Sequence, residues 1–233
     1  TIMGTGLNGY LVEPRLSHDG ALQWQDAASV SHDDTVLRGC ENPFQVTGGL
    51  NVLEGPLGHA VIKTSSIPGD RHFIEAPARV FHSQEELHAA FKTGELHRDV
   101  VAVVRFQGPK ANGMPELHRM TPPLSVLQDK GFRVGLVTDG RMSGASGKVP
   151  AAIHVTPEAA DGGAIAKIRD GDVIRIDADN GRLEILVDAR EFAARVPATA
   201  DLSKNEEGTG RELFKAFRNL AGRADQGASI FEV

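Results

Sequence analysis

Cysteine is nearly absent: Cys40 is the one thiol in 233 residues. That excludes an internal disulfide framework and fits a reducing compartment. It also leaves no C-x-x-C pair, and none of the nine histidines stands in an H-E-x-x-H pattern, so a structural zinc site is not expected. Cys40 itself is expected to be a small buried residue. Long apolar runs are missing too, since none approaches the ~20 residues of a membrane-spanning helix. There is no basic excess; the formal net charge is −6, which argues against a nucleic-acid partner. Neither an internal repeat nor a low-complexity segment is present. No basic stretch followed by an apolar core opens the chain, so no secretory signal is read, and the expected location is cytoplasmic. The opening Thr1 reads as mid-sequence, which suggests a fragment or a processed product.

Turn formers are plentiful, with 26 glycines and 12 prolines in a chain long enough to bury a core as one large domain or two small ones. Residues 1–45 read as a linker or arm, because Pro14, Asp19-Gly20, His32-Asp33-Asp34 and Pro43 break every periodic pattern. Residues 46–233 form the expected folded domain. Strands are expected around Leu50–Leu53, Ala60–Ile62, Val100–Val104, 132–138 and Ala151–Val155, with a hairpin turning at Asn180-Gly181. Ser83-Gln84-Glu85-Glu86 is a capping box for a helix that Gly94 closes. A second helix is expected through Leu124, Leu127 and Lys130, and a third starting at Thr156-Pro157-Glu158. A fourth is expected to be capped at Thr209–Glu212 and to align Leu213, Phe217 and Leu220 on one face. The result is a β-rich α/β fold, a barrel flanked by α-helices.

One loop concentrates the chemistry. The apolar run 132–137 ends in Thr138-Asp139-Gly140-Arg141-Met142-Ser143-Gly144-Ala145-Ser146-Gly147-Lys148. Gly140, Gly144 and Gly147 allow positive φ and close approach of a ligand. Ser143 is a candidate reactive hydroxyl, with Arg141 and Lys148 near it to offset negative charge. Two familiar readings fail here. Ser146-Gly147-Lys148-Val149 is no P-loop, since Met142 replaces the first glycine and Val149 the magnesium-binding hydroxyl. Arg141 stands where a G-x-S-x-G elbow needs glycine, and no Ser/His/Asp set is visible, so deprotonation of Ser143 is expected to need a metal. The N-terminal Gly4-Thr5-Gly6-Leu7-Asn8-Gly9 is likewise no dinucleotide fingerprint, because Pro14 follows where a helix should run.

A second breaker-rich loop, Gly108–Leu117, follows the Val100–Val104 strand and is expected to open on the same side. Its Glu116 is either a single magnesium ligand or a solvated first-turn glutamate favoured by the helix dipole. His154 is either a packed strand histidine or a hydrogen-bond donor behind the main loop.

Taken together, Thr138–Gly144, Gly113-Met114-Pro115-Glu116 and Pro157-Glu158-Ala159 with Gly162-Gly163 resemble the C-terminal part of the dihydroxy-acid and 6-phosphogluconate dehydratase family over nearly the whole chain. The continuation Ser143–His154 and the segment Gln107–Gly113 are similar to the 6-phosphogluconate branch. The resemblance implies a swivelling β-barrel domain. The implied reaction is loss of water from 6-phospho-D-gluconate to give 2-dehydro-3-deoxy-6-phosphogluconate, a step of the Entner–Doudoroff pathway. By position, Ser143 matches the serine proposed to take the C2 proton and Glu116 matches a magnesium-ligand glutamate. Arg141, Ser146 and Lys148 are then expected to hold the substrate's phosphate or carboxylate.

The family also uses an iron–sulfur cluster that assists loss of the C3 hydroxyl, with ligands on an N-terminal domain; Cys40 alone cannot supply them. The expected partners are that N-terminal catalytic domain and a sugar-acid phosphate, with homodimerisation at full length and neither nucleic acid nor membrane. This chain by itself is expected to bind no cluster and to be inactive. The alternatives are a dehydratase of another sugar acid or a branched dihydroxy acid, or a stand-alone anion-binding or interaction module.

Overall fold

The computed structural model describes residues 10–28, 30–143 and 148–231. Two compact units divide the chain, Thr1–Gly48 and Gly49–Val233. The first holds an antiparallel hairpin, β1 (Val12–Leu16) with β2 (Leu22–Asp26). Gly20, at φ 80°, and the Asp19 carboxylate, which accepts from the Ala21 N–H at 3.1 Å, shape its turn. The sequence reading has no strand here. Nearly every hairpin side chain is exposed, so no alternation of apolar and polar residues marks it, and Pro14 argues against it. Cys40, in the same unit, is exposed rather than buried.

The second unit is a closed eight-stranded barrel. Its strands are β3 (Leu50–Gly55), β4 (Gly58–Lys63), β5 (Phe73–Phe81), β6 (Val100–Val104), β7 (Val134–Thr138), β8 (Ala151–Thr156), β9 (Val173–Asp177) and β10 (Arg182–Ile185). Around the barrel the order is β10-β3-β4-β8-β7-β6-β5-β9. The neighbours β5-β6-β7-β8 run parallel, while β9 and β4 join them antiparallel. This is the expected β-rich barrel with few helices.

β6 and β7 are buried along their whole length, which explains their unbroken Val/Leu text. Successive side chains still divide between two cores. Val101, Val103 and Val137 fill the barrel with Ile74, Ile174 and Ile176. Val100, Ala102, Val104, Val134 and Leu136 face outward to Leu87, Leu124 and Leu127. Those outer residues belong to α1 (Gln84–Lys92) and α3 (Thr121–Asp129). Ser83 Oγ accepts from the Glu86 N–H at 3.2 Å, and the Glu86 carboxylate accepts from the His82 N–H at 2.7 Å, so the expected capping box forms one residue wider than its simplest version. The remaining helices are short: α2 (Pro109–Asn112), α4 (Ala189–Ala194) and α5 (Lys215–Leu220).

Two expected helix starts are corrected. Thr156 stays on the β8 ladder opposite His59, and its Oγ1 donates to the His154 carbonyl, so two short 3-10 turns, Ala159–Asp161 and Ala164–Lys167, follow Pro157 in place of a helix. Near the C-terminus, Thr209 and Gly210 are left-handed at φ 54° and 80°, which prevents capping there and delays the helix to Lys215. Leu213, Phe217 and Leu220 are exposed, and Arg218 is the buried residue of α5.

Candidate functional site

Parallel pairing sets the site. Val104 lies opposite Thr138 and Val137 opposite Ala152, so β6, β7 and β8 release their following loops at one end of the barrel. Carboxyl ends of adjacent parallel strands are where open α/β folds place ligands, and the same crowding of loops occurs here. Glu116 and Arg141 form an isolated parallel bridge, joined by a Leu117 N–H to Arg141 carbonyl bond of 3.2 Å. The two loops therefore open on one side and touch.

Glu116 is central to that contact. Its Oε2 accepts from Arg141 Nη1 at 2.8 Å and its Oε1 from the Ser143 N–H at 2.7 Å. Arg141 Nε also donates to the Met114 carbonyl at 2.8 Å. Ser143 is exposed, at the mouth of the site, with its backbone tethered to the carboxylate. Lys148 is exposed at the far end of the same loop. Ser146 lies outside the described residues, as do Gly144 and Gly147. Gly140 does not use positive φ; it is there for space. A Cβ at this position would stand 2.6 Å from Leu117 Cδ1 and 2.7 Å from Gln107 Cβ, where no ordinary side chain fits.

His154 lies behind the loop at a bulge in β8, at φ 57°, where the β4–β8 register shifts. Its N–H donates to the Gly140 carbonyl at 2.9 Å. Burial, with the Arg141 charge adding to it, holds the imidazole below its ordinary value and so favours the neutral ring. His154 also lines a separate cleft of about 300 Å³ with His59 and Asp225, whose Nδ1 and Oδ2 are 3.2 Å apart.

Two carboxylates escaped the sequence reading. Asp139, fully buried, gathers all three loops: its Oδ2 accepts from the N–H of Phe106 at 3.0 Å and of Ala159 at 2.9 Å, and its Oδ1 from that of Gln107 at 2.9 Å. Burial pushes this carboxyl above its ordinary value despite those donors. Glu158 caps α2 from across the site, accepting from the Lys110 and Ala111 N–H groups at 2.9 and 3.0 Å. The residue at the N-cap position, Gly108, has no side chain to do so, and a Cβ there would stand 2.5 Å from Glu158 Oε2. A sequence signal existed, since both acids follow buried strands and both lie within the segments that carry the family resemblance. Their partners are backbone groups, which no residue pattern names.

The chemistry of the donors limits what this chain holds. An iron–sulfur cluster takes several thiolates, and the one thiol here is exposed Cys40 in the first unit, so the cluster does not fit these residues. Among the described residues no three His, Cys, Asp or Glu side chains group as metal ligands. Glu116, the expected magnesium ligand, has each carboxylate oxygen already accepting, Oε2 from Arg141 and Oε1 from the Ser143 N–H, so a cation there would have to share an oxygen with one of them.

The sequence model for the C-terminal domain of the dihydroxy-acid/6-phosphogluconate dehydratases matches residues 35–228. The chain belongs to that family. Its dehydratase relatives include the phosphogluconate dehydratase of Rhizobium meliloti (strain 1021), 56% identical over 230 residues, and that of Escherichia coli (strain K12), 56% identical over 229. The matches cover 99% and 98% of this chain and 38% of each relative. The dihydroxy-acid dehydratase of Pyrococcus furiosus is 46% identical over 208 residues, covering 88% of this dehydratase-family chain and 36% of its own length. The chain thus spans about two-fifths of the length of the relatives it matches.

Proposed function

We propose that this chain is the C-terminal part of a cytoplasmic hydro-lyase that dehydrates 6-phospho-D-gluconate to 2-dehydro-3-deoxy-6-phosphogluconate. The observation that carries the reading is the Glu116 carboxylate clasping both Arg141 and the Ser143 backbone at the shared exit of β6 and β7. Identity of 56% to the R. meliloti and E. coli phosphogluconate dehydratases, against 46% to the P. furiosus dihydroxy-acid dehydratase, supports the phosphorylated sugar acid.

In this reading Ser143 Oγ, having first released its own proton to solvent, takes the proton from C2 as an alkoxide, a state that a bound cation would favour, and Arg141 and Lys148, with Ser146, hold the substrate's anionic groups. A proton next to a carboxylate is weakly acidic, so fixed cations must stabilise the enediolate charge that develops as it leaves. Glu116 holds Arg141 and the backbone of Ser143 in place before substrate arrives, which lowers the cost of organising them in the transition state. Glu116 would also offer magnesium an oxygen by sharing it with Arg141 or the Ser143 N–H, and that cation would offset the same charge. The iron–sulfur cluster of the resemblance belongs to an N-terminal catalytic domain outside these residues, and the full-length enzyme is read as a homodimer. No membrane attachment is invoked, and among the described residues no helix is long and apolar enough to cross a bilayer.

The test is a hybrid in which this chain replaces the matching region of the E. coli relative, assayed for loss of water from 6-phosphogluconate. The wild-type hybrid should turn over. Ser143→Ala should lose roughly 10²–10⁴-fold in kcat, the range for removing a positioned acid–base group, with little change in KM. A Ser143→Ala hybrid with unchanged kcat would exclude the serine as base.

A further inference from the structure

A cleft of about 510 Å³ opens beside the candidate site, between the α2 segment and the C-terminal α5 segment. Two arginines, Arg211 and Arg218, line it, and no aspartate or glutamate does so among the described residues. Arg218 is 9% exposed. Its Nη1 donates to the Arg211 carbonyl at 3.0 Å, but its Nη2, shielded from solvent, has no acceptor among the described residues. Arg211 is spent on the Asn205 carbonyl and on the carbonyl and Oδ1 of Asn112. Neither guanidinium forms an ion pair with a carboxylate among the described residues; Glu212, which feels the Arg218 charge, is tied to the Gly208 N–H instead. Arg195, equally buried, is paired with Asp172 and Glu191. An unpaired charge in such a place is costly, and two side by side cost more. Burial and the nearby Arg218 charge lower the Arg211 guanidinium from its ordinary value.

Backbone strain collects at the same place. Five non-glycine residues have left-handed φ among those described, and Met114, Thr209 and Ala228 of these line the cleft. For β-branched Thr209, at φ 54°, that conformation is a genuine outlier, and such outliers cluster where a ligand is clamped. The cleft is continuous with the loop of the candidate site through Met114, whose carbonyl accepts from Arg141.

We propose that this cleft is an anion subsite that takes the phosphate monoester of the substrate on Arg211 and Arg218. Arg218 Nη2 is a buried donor without an acceptor among the described residues, and a rotation of its guanidinium toward the cleft would present it to a dianionic phosphate that balances both guanidiniums. The substrate's carboxylate end then falls to Arg141 and Lys148. Identification of the anion as the substrate's own phosphate rests on the dehydratase reading; the affinity for phosphate does not.

Two measurements on the hybrid enzyme separate the two. Inorganic phosphate, titrated and followed by ³¹P NMR, should bind saturably and weaken roughly ten- to a hundredfold in Arg211→Gln and in Arg218→Lys. Melting temperatures of both variants identify any loss of fold, and Arg211→Gln, at the half-buried residue, serves if Arg218→Lys unfolds. Kinetically, the ratio of kcat/KM for 6-phosphogluconate over gluconate should fall about tenfold or more in either variant. Lys148→Ala should lower both substrates alike. Wild type that binds phosphate no better than the variants overturns the subsite. A preference for the phosphorylated substrate that disappears with Lys148→Ala and survives the arginine variants also overturns it. Absence of dehydration by the wild-type hybrid defeats the dehydratase reading, while the phosphate titration still decides the cleft.

Discussion

Asp139 ties the loops of the candidate site together from beneath, without being exposed at its mouth. Three backbone N–H groups from two other loops end on its carboxylate. Asp139→Asn would turn an amide N–H toward at least one of those donors, and each bond lost leaves a buried N–H unsatisfied. The expected cost is about 2–4 kcal/mol, measured by urea unfolding. The pH dependence has a definite sign. Because burial raises the folded carboxyl above its ordinary 3.8, the folded chain keeps a proton there that the unfolded chain has released. The group's contribution to stability is therefore largest below 3.8 and declines as pH rises through the folded value. The melting temperature of wild type relative to Asp139→Asn should narrow as pH rises above about 4; a gap that widens would mean the three donors outweigh burial. Ser143, Glu116 and Arg141 are different: they sit half-exposed or exposed, and their ion pair contributes at most about 1 kcal/mol to stability. Their residue types, spacing and resemblance made them legible in the chain. Asp139 and Glu158 act on main-chain groups far away in sequence, and composition carries no trace of that.

At the scale of elements, local rules succeeded where the chain caps itself. Ser83 and Glu86 start α1, and Asn180-Gly181 turns β9 into β10, because all the needed atoms lie within a few residues. They failed where the cap comes from elsewhere. α2 has Gly108 at its N-cap, without a side-chain acceptor of its own, and Glu158 supplies one from 48 residues beyond Lys110. Glu158→Ala should leave two N–H groups of this single turn without their partner. The expected destabilisation is about 1–3 kcal/mol, with proteolytic cleavage at the Gly108–Leu117 loop rising first. Cleavage rates unchanged from wild type would show that α2 holds without this cap. The C-terminal segment failed for the opposite reason: Leu213, Phe217 and Leu220 have helical spacing, yet the left-handed Thr209 and Gly210 postpone the helix and turn Arg218 inward.

Across the whole molecule, stability is distributed unevenly around the barrel. β6 and β7 are buried on both faces and paired on both edges, whereas β10 meets β3 through the single register pair Arg182–Glu54. Amides of Val101–Val103 and Gly135–Val137 should therefore be among the slowest to exchange with deuterium, and those of Leu53–Gly55 and Arg182–Leu183 faster by an order of magnitude or more. A uniform pattern would show that the barrel opens only as one unit. The amino-acid sequence alone determined the fold class, the buried strands, the hairpin and the identity of the chemical loop, because apolar periodicity, turn residues and a long ordered resemblance are all written in neighbouring residues. Tertiary structure decided the rest. Parallel pairing of β6, β7 and β8 brought Glu116 to Arg141 and Ser143, Asp139 joined three loops through their backbones, and packing of the C-terminal segment on α2 placed Arg211 and Arg218 beside Met114. Those juxtapositions depend on strand register and on main-chain hydrogen bonds between distant segments, neither of which any local pattern of side chains specifies.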